Sequence, residues 1–275
     1  MGQKEKKFAI LIALLSAVIM LFPIYWMFIT SLKTMGEIYQ SPPTFFPVNL
    51  TFEAYTSNFI DDTSIYTYFK NSIIIATGSM LLCLLLATPA AYALSRKKIF
   101  GKNIIILILL MVQMFPTIIL VTPLYLIFSK VGLTNSYIGL ILATTTLSVP
   151  FAILVLRPLF LGLPKDLEDA ALIDGCNKLT TFLRIIIPIS RSGLITVGSI
   201  SFLFAWGELL YPLTLASQDS MRPITVGIYR FVGQYQTDWG SLMAVAFIAS
   251  LPIIIIFIFL QKYIVSGLTS GAVKS

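Results

Sequence analysis

The chain has 275 residues, of which 57% are hydrophobic and 11% are charged, and its formal net charge is +7 at pH 7. Its mean hydropathy is +0.90. Charged residues make up about 25% of ordinary soluble domains, so this composition excludes a soluble globular fold. The chain has no histidine and two cysteines, which excludes most histidine-based catalysis and a disulfide framework. No basic stripe interleaved with aromatic residues indicates a nucleic acid partner.

Six apolar stretches are long enough to cross a hydrocarbon layer of about 30 Å as helices. They lie near residues 8–30, 70–94, 104–128, 137–161, 194–216 and 241–261. Continuous runs such as IIILILLMV at 104–112 differ from the short alternating segments of a transmembrane barrel. The sequence therefore predicts an all-α fold, a polytopic membrane bundle of six transmembrane helices that forms a single domain over residues 1–275.

Two features leave the ends of these spans open. Prolines inside the stretches are expected to kink the helices or shift their ends; these are Pro89, Pro116, Pro123, Pro150 and Pro252. The first stretch follows three lysines, so a cleaved signal peptide is an alternative for it. Its length and the Tyr25–Trp26 pair near its far end favour an uncleaved anchor.

The basic residues are divided unequally between the two sides of the predicted bundle. Six spans place both termini on one side, and that side holds 14 of the 19 lysines and arginines. The 14 are Lys4, Lys6, Lys7, Arg96, Lys97, Lys98, Lys102, Arg157, Lys165, Lys178, Arg184, Arg191, Lys262 and Lys274. Since lysine and arginine accumulate in cytoplasmic loops, both termini are predicted to be cytoplasmic. The outer loops are too short for a receptor domain, so ligand capture outside requires a partner.

One cytoplasmic loop, residues 162–193, has eight charged residues in a chain that otherwise avoids them; we call it the charged loop. Pro164 with Asp166 and Glu168 predicts the start of a helix, and Gly175 predicts its end, so a short helix is expected over about 165–174. A second helix is expected to follow. Its apolar residues recur at helical spacing, and Pro188 marks a bend into the fifth span. The alternative is an amphipathic segment that lies on the membrane.

The residues DAALIDGCNKLTTFLRIIIP at 169–188 resemble the EAA loop of the integral membrane subunits of ATP-binding-cassette (ABC) importers. The pattern is EAA, three residues, Gly, nine residues and I-x-L-P, and its spacing matches in full. Asp169, Ala170 and Ala171 take the EAA positions, Asp174 and Gly175 take the DG positions, and Ile185, Ile187 and Pro188 close the motif. Asp169, Cys176 and Ile187 replace the usual Glu, Ala and Leu.

In that family the loop forms a coupling helix that docks in a cleft of the ATPase subunit. The resemblance therefore implies an ATPase-coupling loop made of Asp169, Ala170, Ala171, Asp174, Gly175, Phe182 and Pro188. It implies a type I ABC importer permease fold, without an enzyme site, cofactor or metal of its own. ATP and Mg²⁺ would be bound by partner ATPase subunits, because the chain has no GxxxxGK[ST] phosphate loop.

Three further stretches are similar to carbohydrate permeases, in particular to the second, six-span permease of maltose-type importers. They are TSLKTMGEIYQSPPTFFPVNLTFEAY at 30–55, FAWGELLYPLTL at 204–215 and QKYIVSGLTSGAVKS at 261–275. This likeness implies four kinds of neighbour: a second permease in a heterodimer, two cytoplasmic ATP-binding subunits, an extracytoplasmic solute-binding protein and the bilayer of a bacterial plasma (inner) membrane. It implies an oligosaccharide or a related sugar as substrate, and residues 266–275 are expected to contact the ATPase.

Glu208 is the only acid predicted to lie inside the spans. A carboxylate at mid-helix costs about 2.5–3.5 kcal/mol on insertion scales, so it usually faces protein or water. One hypothesis is that Trp206, Glu208 and Tyr211 line a polar path, because rings stack on sugar C–H faces and a carboxylate accepts hydroxyl hydrogen bonds. The alternative is that Glu208 caps or pairs with a neighbouring helix and that the two rings are packed.

Two other classes of function fit the sequence less well than an importer subunit does. A self-sufficient ion-coupled secondary transporter needs intramembrane titratable groups, and the spans offer a single acid. An intramembrane enzyme needs a base beside a nucleophile, and the sequence offers no such constellation.

Residues 41–55, which we call the proline-rich segment, hold Pro42, Pro43 and Pro47 on the predicted outer side. They are predicted to be extended and partly rigid. Such a segment either rests against a docking protein or acts as a simple tether.

Overall fold

The computed structural model describes residues 3–272, with the side chains of residues 5–259 and of Gln261. Within that range the chain is helical and forms no β-strand, only an isolated bridge between Val232 and Thr237. The α-helices are α1 (Gln3–Ser31), α2 (Met35–Ile38), α3 (Glu53–Thr56), α4 (Ser64–Arg96), α5 (Lys102–Met114), α6 (Thr117–Lys130), α7 (Tyr137–Gly162), α8 (Asp166–Ile173), α9 (Lys178–Thr181), α10 (Ile187–Ile189), α11 (Arg191–Gly207), α12 (Leu210–Leu215), α13 (Ile224–Gly227) and α14 (Trp239–Ala272). Ser57–Asp61 and Phe182–Ile186 are π-helical, whereas Asp219–Met221 and Ile228–Phe231 are 3₁₀-helical.

Four of these helices, α1, α4, α7 and α14, are each long and apolar enough to cross a membrane. Two bent helix pairs meet the same criterion only if each pair is counted as one span. They are α5 with α6, bent by 100°, and Lys178–Ile189 with α11, bent by 79°. With both pairs counted, the number of spans is six, as the sequence predicts.

The third and fifth predicted spans are not single straight helices. Phe115 has φ −76° and ψ 127°, which ends α5. The cause is Pro116, because a proline ring disfavours helical backbone at the residue before it. The fifth predicted span is interrupted as well, since α11 ends at Gly207 and α12 begins at Leu210. Other predicted kink sites, such as Pro123 within α6, lie inside continuous helices.

The chain divides into two compact units. The first comprises Met1–Tyr66 and Gly227–Pro252, and the second comprises Thr67–Val226 and Ile253–Ser275. The prediction of one permease domain over residues 1–275 stays a prediction.

The second unit has two buried apolar clusters. One joins α4, α7 and α11 through Cys83, Ala87, Ala91, Leu156, Phe160, Ile186 and Val197. The other joins α4, α6, α7 and α12 through Ile75, Val121, Phe128, Leu140, Ala143, Tyr211 and Leu215. A Cβ atom added to Gly193 would lie 2.1 Å from a methyl carbon of Leu159. This glycine therefore allows α11 to pack closely on α7.

One carboxylate makes three of the hydrogen bonds that hold the proline-rich segment of the first unit. Glu37 accepts a hydrogen bond from the Thr44 hydroxyl at 2.6 Å and from the backbone N–H groups of Val48 at 2.9 Å and Asn49 at 3.4 Å. The Thr44 hydroxyl is the largest cause that lowers the pKa of Glu37, with the two N–H groups and nearby Lys33 acting in the same direction and burial opposing them. The predicted rigidity of this segment thus has a physical source.

We predict that Glu37→Gln loosens the proline-rich segment and that the difference from the native chain depends on pH. Because the folded-state pKa lies below the ordinary value of 4.5, the ionised carboxylate stabilises the fold fully above that value. This contribution is lost as the pH falls through the lowered pKa. Limited proteolysis within residues 40–52 should therefore be faster for Glu37→Gln at pH 7, and the difference should shrink in acid.

Glu53→Gln is the matched control, since Glu53 is exposed in the same unit. Equal cleavage rates for Glu37→Gln and Glu53→Gln at pH 7 would contradict the role given to Glu37.

Candidate functional site

The charged loop forms the short helix that the sequence predicts. Helix α8 spans Asp166–Ile173 and has three acids in its first turn, Asp166, Glu168 and Asp169. Carboxylates are favourable there because the N-terminal end of a helix carries a partial positive charge. The predicted second helix follows as α9 and the π-helical turn Phe182–Ile186, and Asn177 caps it by accepting a hydrogen bond from the Thr180 N–H at 2.8 Å.

Gly175 ends α8 through a Schellman motif. Its φ is +82°, a left-handed conformation that glycine adopts at little cost. Its N–H donates to the Leu172 carbonyl at 3.1 Å, and the Cys176 N–H donates to the Ala171 carbonyl at 2.9 Å. These two bonds define the motif, and the second shows that Cys176 fits the turn. Gly175 therefore fixes the length of α8.

One face of α8 is exposed. Asp169, Ala170 and Asp174 lie on it, and the side chain of Ile173 is 86% exposed. Of the predicted apolar face, only Ala170 is exposed. Leu163 and Leu167 are half-buried and Ala171 is buried, so most of that face packs within the chain. The residues that match the EAA motif thus point in two directions.

The opposite face of α8 is tied to the end of α4 by a buried ion pair. Arg96 Nε lies 2.8 Å from Glu168 Oε1, and the Arg96 side chain is only 6% exposed. The contact is ionic and lacks the alignment of a hydrogen bond. Arg96 Nη2 also donates to the Leu163 carbonyl at 2.6 Å, and the Tyr92 hydroxyl donates to Glu168 Oε2 at 2.9 Å. We call Tyr92, Arg96 and Glu168 the α4–α8 link.

Aromatic packing extends this link to the rest of the charged loop. The Tyr92 ring lies 4.8 Å from the Phe182 ring and 5.8 Å edge-on from the Phe160 ring, between centroids. Phe182 begins the π-helical turn that leads to Pro188, after which the chain bends by 79° into α11. Tyr92 therefore contacts residues of α7, α8 and the segment that enters α11.

The sequence did not identify the α4–α8 link. From the sequence, Glu168 is expected only to lie in the first turn of a helix. Arg96 is expected only to be one of the basic residues on the cytoplasmic side. Tyr92 and Glu168 are 76 residues apart. Spacing patterns report contacts within one helix, so no pattern in this single sequence pairs them.

The predicted substrate-path residues lie around the break between α11 and α12. The Trp206 ring is buried, stacks on Phe202 at 5.7 Å and meets Phe69 edge-on at 5.7 Å. Tyr211 is buried in the second apolar cluster. The half-buried Glu208 accepts hydrogen bonds at Oε1 from the N–H groups of Leu210 at 2.8 Å and Tyr211 at 3.2 Å. Glu208 therefore caps α12. A contact of Trp206, Glu208 and Tyr211 with substrate stays a prediction.

The predicted ATPase contact of residues 266–275 falls outside the side chains that the structure describes. Among the described residues, no group of three or more Cys, Asp or Glu side chains is placed to hold a metal ion.

We predict that Gly175→Ala destabilises the C-terminal turn of α8. A Cβ there meets no atom within 4 Å, so the cost arises only from the left-handed backbone, about 1 kcal/mol. The Cys176 amide should then exchange its hydrogen about fivefold faster, because 1.4 kcal/mol corresponds to a factor of about ten. Hydrogen exchange followed by mass spectrometry measures this.

Gly162→Ala is the control, because Gly162 ends α7 in the same loop and also has open space at its Cβ position, without the positive φ. An equal increase in exchange around both glycines would contradict the explanation.

Comparison with known proteins identifies this architecture. Residues 84–270 match the family described as "Binding-protein-dependent transport system inner membrane component". The trehalose/maltose transport system permease protein MalG of Thermococcus litoralis is 36% identical over 95% of this chain and 94% of its own length. The trehalose transport system permease protein SugB of Mycobacterium tuberculosis is 37% identical over 92% of each chain. The diacetylchitobiose uptake system permease protein DasC of Streptomyces coelicolor is 33% identical over 93% and 92%.

A solved structure has the same fold. It is the crystal structure of a bacterial ABC transporter involved in the import of the acidic polysaccharide alginate. The TM-score is 0.80 at 22% sequence identity, and the match covers 96% of this chain and 98% of the other. The predicted all-α, type I ABC importer permease fold is therefore confirmed. This chain belongs to the family of inner membrane components of binding-protein-dependent transport systems, as a multi-pass permease subunit of an ABC importer.

Proposed function

We propose that this permease imports a carbohydrate and couples the translocation to ATP hydrolysis on partner subunits. The observation that carries the proposal is the exposed face of α8, which presents Asp169, Ala170 and Asp174 at the spacing of the EAA motif. The sugar class is supported by relatives over more than nine-tenths of the chain whose names specify diacetylchitobiose, trehalose and maltose uptake. These names support no ion-coupled mechanism.

The proposed assembly contains this chain, a second permease, two cytoplasmic ATPases and an external solute-binding protein. ATP and Mg²⁺ are bound by the ATPases. Both termini and the charged loop face the cytoplasm of a bacterial-type inner membrane, as the distribution of lysine and arginine indicates. None of the most apolar window of α1 is buried within the chain, so its surface is available to lipid and to the second permease.

Movement of the ATPase would reach the membrane helices through α8. The outward residues, Asp169 and Ile173 among them, contact the ATPase. Glu168, on the inward face, forms an ion pair with Arg96 of α4. Arg96 also donates a hydrogen bond to the carbonyl of Leu163, the residue that follows α7. Separating Glu168 from Arg96 would leave the Arg96 charge buried without a counter-charge, which is unfavourable. A displacement of α8 therefore moves the ends of α4 and α7 with it instead of breaking the contact.

The function itself is tested by reconstituting the permease with its second permease, ATPases and binding protein in liposomes. A panel of saccharides is then screened for stimulation of ATP hydrolysis and for uptake. We expect at least one di- or oligosaccharide to stimulate both. An assembly that hydrolyses ATP with its binding protein but responds to no saccharide, and responds to a peptide or an ion, would contradict the sugar assignment.

We predict that substitutions of two adjacent acids of α8, Glu168 and Asp169, impair different steps of transport. Asp169→Asn should weaken ATPase binding by about fivefold, because an exposed charged pair contributes up to about 1 kcal/mol. Titration of the ATPase subunit measures this effect. Glu168→Gln should leave ATPase binding unchanged and lower the substrate moved per ATP by about fivefold, because residues that couple two sites contribute about 0.5–2 kcal/mol.

Asp166→Asn is the control for both variants, since Asp166 is an exposed acid in the same helical turn. Tyr92→Phe, which removes one hydrogen bond to Glu168 and keeps the ring contacts, should give a milder loss of coupling than Glu168→Gln. If Glu168→Gln lowered hydrolysis and transport in the same proportion, the α4–α8 link would only hold the fold.

We also propose that Trp206, Glu208 and Tyr211 border the substrate path. Glu208 Oε1 is engaged by two amides, whereas Oε2 has no hydrogen bond within the described residues. Glu208→Gln retains an acceptor for the cap and removes the charged oxygen, so we predict weaker substrate stimulation with unchanged thermal stability. Glu208→Ala should weaken substrate stimulation and also lower the thermal stability, because it removes the acceptor for the cap. Unchanged transport and substrate preference in Glu208→Gln would leave Glu208 as a cap alone.

A further inference from the structure

The proline-rich segment exposes apolar side chains although it lies outside every predicted span. Phe46 is 71% exposed and Val48 is 72% exposed, and Phe45 and Leu50 are exposed on either side of them. Residues 40–52 include no charged residue and form neither helix nor strand. We call Phe45, Phe46, Val48 and Leu50 the apolar edge.

Several polar groups of the same segment turn inward. Buried Glu37 accepts hydrogen bonds from the Thr44 hydroxyl and from the N–H groups of Val48 and Asn49. The buried Lys33 ammonium donates a hydrogen bond to the Thr44 carbonyl. The Thr51 N–H donates to the Leu32 carbonyl at 3.0 Å. Irregular backbone survives next to hydrocarbon only where the protein satisfies its polar groups. Glu37 and Lys33 provide such partners for part of this segment.

The position of the apolar edge relative to α1 is fixed by four rings. The Tyr25 hydroxyl donates to the Phe45 carbonyl at 2.6 Å, the Trp26 and Phe45 rings are 5.9 Å apart, and the Tyr25 and Phe46 rings are 6.3 Å apart. Tyr25 and Trp26 precede the end of α1 at Ser31 by about 7–9 Å at the helical rise of about 1.5 Å per residue. Tyrosine and tryptophan are enriched at that depth, where the hydrocarbon meets the headgroups.

We propose that the apolar edge inserts into the membrane interface and anchors the proline-rich segment to lipid. Its surface continues that of α1, where Met20, Leu21 and Phe22 are exposed on a membrane-spanning helix. The apolar edge itself carries no charged side chain, and the exposed polar side chains within residues 41–52, Ser41 and Asn49, are uncharged. Lys33 adds no charge to the apolar edge, because it is buried and its Nζ lies over the Trp26 ring, 4.9 Å from the ring centroid.

The test measures the depth of the segment in the reconstituted importer. A nitroxide is attached at Phe46→Cys, and separately at Val48→Cys, in a chain carrying Cys83→Ala and Cys176→Ser. The liposomes contain phosphatidylcholine and phosphatidylglycerol. Collision rates with oxygen, which concentrates in lipid, and with a water-soluble nickel complex are read by electron paramagnetic resonance. Tyr235→Cys is the aqueous reference, because Tyr235 is 96% exposed in the same unit.

We expect the ratio of oxygen to nickel collisions at Phe46→Cys and Val48→Cys to exceed that at Tyr235→Cys by several-fold, with or without the binding protein. A ratio equal to that of Tyr235→Cys at both positions would overturn the proposal in favour of a solvated tether. Suppression of both collision rates, relieved when the binding protein is withdrawn, would overturn it in favour of a docking surface. Two labelled positions keep the result interpretable if one variant fails to assemble, and none of these outcomes depends on which sugar is imported.

Discussion

Hydrocarbon offers no hydrogen-bond partner, and this constraint governs where the polar groups of this permease lie. Asn71 is fully buried in α4 and uses both ends of its amide, donating to the carbonyls of Ser220 and Arg222 and accepting from the Tyr137 hydroxyl. Glu37 and Lys33 satisfy an irregular segment in the same way. Asn71, Glu37 and Lys33 are therefore buried attachment points for irregular segments of the chain.

The α4–α8 link is the contact through which we propose that movement of α8 reaches the membrane helices. It joins the end of one membrane helix to a helix whose opposite face is exposed, and its aromatic member also touches the turn that enters α11. A single rigid helix of eight residues is thereby connected to three longer ones. In a densely packed protein, small displacements at such a contact are passed on to the connected elements because packed cores do not deform gradually.

The sequence predicts those features whose signal is local. Apolar length gives six spans, and Gly175 with the preceding acids gives α8 within a residue or two. The 100° break at Pro116 is less predictable, because Pro123, seven positions later, lies inside a continuous helix. Whether a proline ends a helix depends on whether the neighbouring packing accepts a bend. The partners of Glu168 and Glu37 depend on the tertiary structure, and spacing along one chain carries no information about them.

Glu168 and Asp169 are consecutive residues, yet about 100° separates their directions around a helix, and only one of them is committed to an internal partner. A substitution on the outward surface of α8 can thus leave the contact between Glu168 and Arg96 in place. A hybrid assembly could therefore be engineered by grafting only the outward residues of α8 from one permease onto another.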